Sequence, residues 1–540
     1  MNGISIEETE LLPLLRALET LKESGYRHQD AQQVWCPDWL ITNEKSDLST
    51  ESKAQNAKET LKMLKSIKKA LATASESLEE TLGRVTDQSS DALRIVGFAT
   101  LPDDVLARIF EINHEAYIAA ASSSGATKDH KYVCSSNVLA QVCQRFRRIA
   151  LHIPSLWEVV SNAHGKDWIS IANGRCQKPT VFVAYDVPGA KKSVSNFLKL
   201  ISPTENWNGL YARFREKGQM HHFVDSISAL SRGRFLSLDK LSLRLDWTLS
   251  MDDDDSDGGM PFSHSSMPSL SSWNLPRVKE LTLANFIPSV INCPALRKCH
   301  IEIADMESAS GDLRALKAFF GCLTLVESLS ILLVNVYMLQ PLGRKSKPVK
   351  LSRLEKLEVS VQGDTEEEFL GGLMGLIDVT PVKELKVSTC PIDVNEGGNI
   401  DEKHEEWLSA IFRSKPSKSS KSGDGVRMFP NVEKFSLELE EGALFFSERD
   451  TFRALPRVRD LTLELPRCNN PHLPADLLKG LRSLHYKNCN FFNDDSTLKS
   501  LKERGDLKNI EKVEIEGCYN LRRYKDEFKK VLGDRFIWKG

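Results

Sequence analysis

Side chains able to do chemistry come together in few places along this sequence. Asp253-x-Asp255-x-Asp257-Gly258 has the spacing with which alternate carboxylates wrap a calcium ion. The twelfth position of such a loop would be His264, where a bidentate glutamate is needed, and the flanks are Ser/Pro-rich. The stretch therefore reads as an acidic solvated loop. The histidines, His472 and His485 among them, never show the H-x-x-x-H spacing that puts two imidazoles on one helix face for zinc. The 11 cysteines are scattered and never form C-x-x-C, a pattern of reduced thiols rather than of a disulfide framework or a paired-cysteine zinc site. No G-x-S-x-G, Walker-type or dinucleotide-binding motif occurs. The expectation is a chain with no catalytic residue, no cofactor and no metal. An enzyme hidden in it would need a convergent cluster of strongly perturbed titratable groups.

The elements must then position surfaces for binding. At 540 residues the chain is too long for one compact core, so it holds about three units or one extended repeat array. Lys+Arg 72 against Asp+Glu 74 gives a net charge of −2, without the basic excess of a nucleic-acid or anionic-membrane binder. No run approaches the roughly 18 apolar residues that span a bilayer. The start, Met1 to Glu8, is acidic and does not read as a secretory signal. The expected location is cytoplasmic and/or nuclear, with neither nucleic acid nor membrane as partner.

Residues 1–50 hold a short helical pattern from Glu7 to Lys22, then an aromatic stretch with Trp35, Pro37 and Trp39. Residues 52–86 read as one long helix. Ala54, Ala57, Leu61, Leu64, Lys68, Leu71, Ser75, Leu78, Leu82 and Val85 recur by threes and fours, and Lys68 and Ser75 interrupt the apolar seam. Two readings stay open, an amphipathic helix docked on its own chain and a coiled-coil dimer.

Residues 98–160 form a compact helical unit. Pro102 suits a first helical turn, Asp103 and Asp104 set negative charge against the positive helix end, and Val105, Leu106, Ile109 and Phe110 share one face. After a polar linker, Ser122 to Asp129, a second helix capped between Ser135 and Asn137 carries Leu139, Val142, Cys143, Phe146 and Ile149 on one side. Pro154 stops it. Ser155 caps a third short turn with Leu156, Trp157, Val159 and Val160 apolar. A unit of about 60 residues buries only about 60% of its chain surface. The apolar surplus points to a partner groove, the alternative being a three-helix bundle with every apolar residue internal.

Leu101-Pro102-x-x-Val105-Leu106-x-x-Ile109-Phe110, then Leu139-x-x-Val142-Cys143-x-x-Phe146-Arg147, then Pro154-Ser155-Leu156-Trp157, resembles an F-box, with a longer linker between the first two helices. The resemblance implies insertion into a Skp-type adaptor and, through it, attachment to a cullin scaffold of a ubiquitin ligase. It implies adaptor contact by Leu101, Pro102, Val105, Leu106, Ile109, Phe110, Leu139, Val142, Cys143, Phe146, Leu156 and Trp157.

From 178 to 540 one pattern recurs: apolar, two residues, apolar, one residue, apolar. It appears ten times, with middle positions Leu241, Leu281, Cys299, Leu329, Leu357, Leu385, Phe435, Leu461, Leu484 and Val513. The last two apolar positions alternate, as on one face of a strand, and Pro276, Pro294, Pro430 and Pro456 mark turns leading into strands. Most intervals fall near the roughly 20–29 residues of leucine-rich repeats. The two longest hold polar inserts, 251–272 and 414–425, that read as flexible loops. The Lys/Ser composition of the second also fits phosphorylation or a weak nuclear signal. Cys390, Cys489 and Cys518 stand where a repeat places a thiol against turn backbone. The alternative is a mixed α/β domain whose strands share a pattern. Stacked repeats leave Glu280 and Thr282, Glu384 and Lys386, Asp460 and Thr462, Ser483 and His485, and Lys512 and Glu514 on a concave face suited to a folded protein surface.

The expected fold class is α/β, with N-terminal helices and a three-helix F-box followed by an irregular leucine-rich-repeat solenoid with a curved parallel sheet. The order of elements resembles the F-box/leucine-rich-repeat proteins of fungi. The expected function is a substrate-recognition adaptor of a Skp–cullin–F-box ubiquitin ligase, its repeats holding a target protein of unassigned identity. The alternative is a non-catalytic repeat scaffold, or a Skp-adaptor-bound protein with no role in ubiquitylation.

Overall fold

The structure is a computed structural model that describes residues 15, 19, 50–123, 135–185, 190–231, 233–246, 270, 272–288, 290–311, 313–338, 347–391, 400–412, 429–440, 445–446, 449–468, 470–471, 473–474, 476–492, 494–503 and 507–539. Nearly all of the pattern at Glu7 to Lys22, the stretch Trp35 to Trp39, the insert 414–425 and nearly all of 251–272 lie outside them, as does most of the linker after Ser122. Two compact units divide the chain, Met1–Ile109 and Phe110–Gly540.

In the first unit, helix α1 (Thr50–Thr100) runs 51 residues, fourteen beyond the expected end at 86. Gly83 and Gly97 sit within it with open space around them, so each costs only its intrinsic propensity, about 1 kcal/mol relative to alanine. Among the described residues no helix is long and apolar enough to cross a membrane. Helix α2 (Asp103–Ser123) follows, with Asp103 and Asp104 in its first turn, and the division between units falls inside it.

The second unit continues with α3 (Ser135–Val142) and α4 (Gln144–His152). The sequence pattern predicts one helix here. Cys143 breaks it: its backbone is fully extended, and its thiol accepts from the Phe146 N–H at 3.4 Å, capping α4. A 3-10 turn, Pro154–Trp157, leads into strand β1 (Val159–Ser161). Val159 and Val160, expected in the third turn of the helical unit, instead form the first strand of the sheet. The sheet thus begins inside 98–160 rather than beyond 178.

Fourteen strands follow one another in the sheet in chain order, all parallel. After β1 come β2 (Thr180–Ala184), β3 (Gly209–Phe214), β4 (Lys240–Leu245), β5 (Glu280–Ala284), β6 (Lys298–Gly311) and β7 (Ser328–Met338). The rest are β8 (Lys356–Gly363), β9 (Glu384–Pro391), β10 (Lys434–Leu439), β11 (Asp460–Glu464), β12 (Ser483–Lys487), β13 (Lys512–Glu516) and β14 (Phe536–Lys539). The ten middle residues of the sequence pattern stand side by side: Leu241 opposes Leu281, Leu281 opposes Cys299, and so on through Leu385, Phe435 and Leu461 to Val513. All are buried. Each such side chain removes apolar surface worth about 1.5–3 kcal/mol from water. One copy alone has nothing to bury that face against; the stack makes it a continuous core.

The turns repeat as regularly. Successive N–H groups of Glu327 and Ser328 meet the Arg297 carbonyl, and those of Glu355 and Lys356 meet that of Glu327. Pro276, Pro294, Pro430 and Pro456 all stand in turns just ahead of strands, as expected. Beyond the strands, the thiol of Cys489 donates to the carbonyls of Leu463 and Lys487, and that of Cys518 to Tyr486 and Glu516. Asn335 closes another turn. It takes a left-handed φ of 51° and accepts from the Asp364 N–H at 2.8 Å. Helices such as those at Leu313–Gly321, Glu367–Met374 and Ile400–Phe412 cover the apolar face through Phe319, Phe320, Leu370 and Trp407. Helices need about 8–10 Å each and strands about 4.8 Å, so the sheet curves with its polar face inward.

Candidate functional site

Two surfaces carry the residues singled out by the sequence. The first is helical. In the first unit, Leu106 is buried and Leu101 half-buried, while Pro102, Val105 and Ile109 are exposed. In the second, Phe110, Leu156 and Trp157 are buried, Leu139 and Phe146 half-buried, and Val142 and Cys143 exposed.

Phe110 and Trp157 pack within the second unit. Phe110 meets Phe146 edge-on, ring centroids 4.9 Å apart. Trp157 is 4% exposed, and its indole N–H donates to the Ala150 carbonyl at 2.8 Å. Arg175, at the end of helix α5 (Lys166–Arg175), lies 5.5 Å from the Trp157 ring and donates to Leu151 O at 2.8 Å. Trp157 therefore joins α4 to the first turns of the solenoid. The exposed members differ. Val142 is 60% exposed, and Val138 on the same helix and Ile112 on α2 are also exposed.

The second surface is the polar face of the sheet. The strands align its side chains in columns. One runs Glu358, Lys386, Ser436, Thr462, His485, Glu514 across β8 to β13. Another, two residues further along each strand, runs Ser360, Ser388, Glu438, Glu464, Lys487, Glu516. Ion pairs cross between strands: Glu280 accepts from Lys240 at 3.2 Å and Lys298 at 3.0 Å, and Lys386 lies 3.2 Å from Glu358 and 3.5 Å from Glu438. Towards the first strands Arg213 pairs with Asp246, and Arg244 takes Glu302 with two bonds of 2.6 and 3.2 Å. Phe182 and Tyr211 stack face to face at 4.5 Å. All the concave pairs expected from the sequence lie on this face, half-buried, except Glu514, which is buried.

Charge is unevenly spread. Burial, then Glu464 and Glu440, push the Glu438 carboxyl above its usual range. Lys512 and Lys539 hold Glu514 down to about 2. His485 Nε2 approaches Glu516 at 3.3 Å and Glu514 at 4.0 Å, and one ligand atom from each of the three lies within 4.8 Å of the others. Lys512 and Lys539 already sit on Glu514, so its carboxylate is committed to ion pairs with these two ammonium groups. Sequence spacing could not reveal the trio, because the stack brings together residues 29 apart. The Arg213–Asp246 and Arg244–Glu302 pairs were missed for the same reason.

The strand order, the repeat interval and the helix-covered apolar face define a solenoid of leucine-rich-repeat type. No family model matches the sequence, and no curated protein is similar to it. Among solved structures, TLR13 in the crystal structure of the TLR13–ssRNA13 complex aligns over 72% of this chain with 11% identity and a TM-score of 0.27. The chain spans 62% of the TLR13 chain. A superposition that loose carries no argument, and the fold assignment rests on the strand ladder itself.

Proposed function

We propose that this chain is the substrate-recognition subunit of a Skp–cullin–F-box ubiquitin ligase, acting in cytoplasm or nucleus. The observation that carries the reading is the division within the F-box-like stretch. Leu106, Phe110, Leu156 and Trp157 are turned inward, while Pro102, Val105, Ile109 and Val142 of the same motif remain in water. A motif used only for internal packing has no reason to keep that second set apolar. The 3-10 turn at Pro154–Trp157 runs straight into β1, so within the second unit the helices end on a stiff array.

The work of such a subunit is placement. Its polar concave face holds a target, the adaptor contact ties that target to the scaffold, and ubiquitin transfer by other subunits gains effective concentration. No residue of this chain enters the chemistry. The test is affinity purification from cells of the intact chain beside Leu101→Ala/Pro102→Ala and Val142→Asp. The expected result is recovery of a Skp-type adaptor and a cullin with the intact chain and their loss with both variants. Recovery of adaptor without cullin identifies an adaptor-bound scaffold, and absence of both overturns the proposal.

A further inference from the structure

Helix α1 carries a stripe that its own unit leaves in water. Leu61, Leu71, Leu78, Leu82 and Val85 are all exposed, Leu78 by 70% and Leu82 by 65%, and Leu64 is half-buried. They stand on the alternating three–four spacing that keeps one seam facing a partner helix over several turns. From Leu61 to Val85 the seam runs about 36 Å. We propose that α1 joins two copies of this chain, side by side and antiparallel.

The direction follows from the residues that interrupt the seam. In a parallel pair Lys68 would face Lys68 and Ser75 would face Ser75, setting like charges together in the least hydrated layer. An antiparallel pair with Lys68 opposite Leu78 puts Leu61 opposite Val85, Leu64 opposite Leu82 and Leu71 opposite Ser75. Every layer then keeps an apolar residue, and the Lys68 stem can lie along Leu78 with its ammonium in water. The flanks agree. With Leu61 and Lys68 in equivalent seam positions, Lys65 and Glu79 occupy equivalent flanking positions, and the same alignment brings Lys65 of one copy beside Glu79 of the other. The helix is charged to match: Lys58, Lys62 and Lys65 lie in one half, and Glu76, Glu79 and Glu80 in the other, with Arg84 tied to Glu80 at 3.2 Å. In a parallel pair the flanking contacts of Lys65 and Glu79 would be Thr60 and Ala74, which are neutral.

The experiment is sedimentation of the full chain at tens of micromolar, with circular dichroism as a check on folding. The wild type is expected at twice the 60.7 kDa chain mass. Leu78→Asp/Leu82→Asp is expected at the single mass with an unchanged spectrum, since both side chains are exposed. Lys65→Glu and Glu79→Lys should each weaken association at least tenfold, and the double exchange should restore it. A monomeric wild type overturns the proposal, as does a dimer that survives Leu78→Asp/Leu82→Asp. A dimer indifferent to both single charge changes overturns the antiparallel arrangement.

Discussion

Trp157→Ala should loosen the start of the solenoid and leave its middle untouched. The indole is almost fully buried, donates a 2.8 Å hydrogen bond to Ala150 and lies against Arg175. Truncating a core tryptophan costs about 3–5 kcal/mol, and because the Ala150 carbonyl also accepts from the Ile153 N–H, this site falls near the middle of that range. Against total stabilities of about 5–15 kcal/mol the loss is large. In a stack whose members touch only their neighbours, it should stay local. Hydrogen exchange of the native protein reads this directly. Amides of α4, β1 and α5 should exchange roughly a thousandfold faster, the equivalent of about 4 kcal/mol, while those of β8 and β9 keep their protection. Exchange at α4 and β1 within a few-fold of wild type would refute the placement of Trp157 as an internal joint. An equal acceleration through β9 would refute the local, neighbour-by-neighbour account of stability.

The other consequences are smaller. Glu514 is held at about 2 in the folded chain against 4.5 unperturbed, so its stabilisation is complete above about pH 4.5 and is lost as pH falls towards 2. Glu514→Gln should flatten acid unfolding within that window by about 1 kcal/mol, a figure discounted because both lysines are about half exposed; an acid titration followed by circular dichroism that is unchanged would contradict this. Gly363 has a φ of +72°, and a Cβ there would collide with the Asn335 side chain that accepts from the adjacent Asp364 N–H. Gly363→Ala should lower the melting temperature through at least the 1–2 kcal/mol or so of left-handed strain, whereas Gly480→Ala, with its nearest neighbour at 3.7 Å, serves as the neutral control.

The strand ladder from β4 to β13 was readable because each copy repeats three buried apolar residues at fixed spacing, and the parallel register then aligns them without slip. The strands that escaped lack one of the three. Lys178 stands where the pattern ahead of β2 needs an apolar residue, Gly533 does so ahead of β14, and Asn162 closes the pattern of β1. At β3 the spacing survives as Trp207, Leu210 and Ala212, with alanine too small to register. In the helical region the periodicity of Leu139 to Ile149 runs unbroken through Cys143, so the break, set by one backbone conformation and one thiol contact, left no mark. The division of motif residues into inward and outward sets was equally hidden, since valine, isoleucine and tryptophan serve both. Cross-strand pairs such as Lys386 with Glu438 depend on intervals of up to 50 residues between neighbouring strands, which no local motif records.

That tolerance for interval has its own meaning. Forty residues separate Leu241 from Leu281 and fifty separate Leu385 from Phe435, yet both pairs sit shoulder to shoulder as if nothing intervened. The length of chain between two neighbouring strands matters little to their pairing, because closing a longer loop costs only about 0.6 kcal/mol per doubling. Connecting segments can therefore lengthen, shorten or acquire new chemistry without disturbing the strand ladder, and the polar face can change its charges one rung at a time without disturbing the connections.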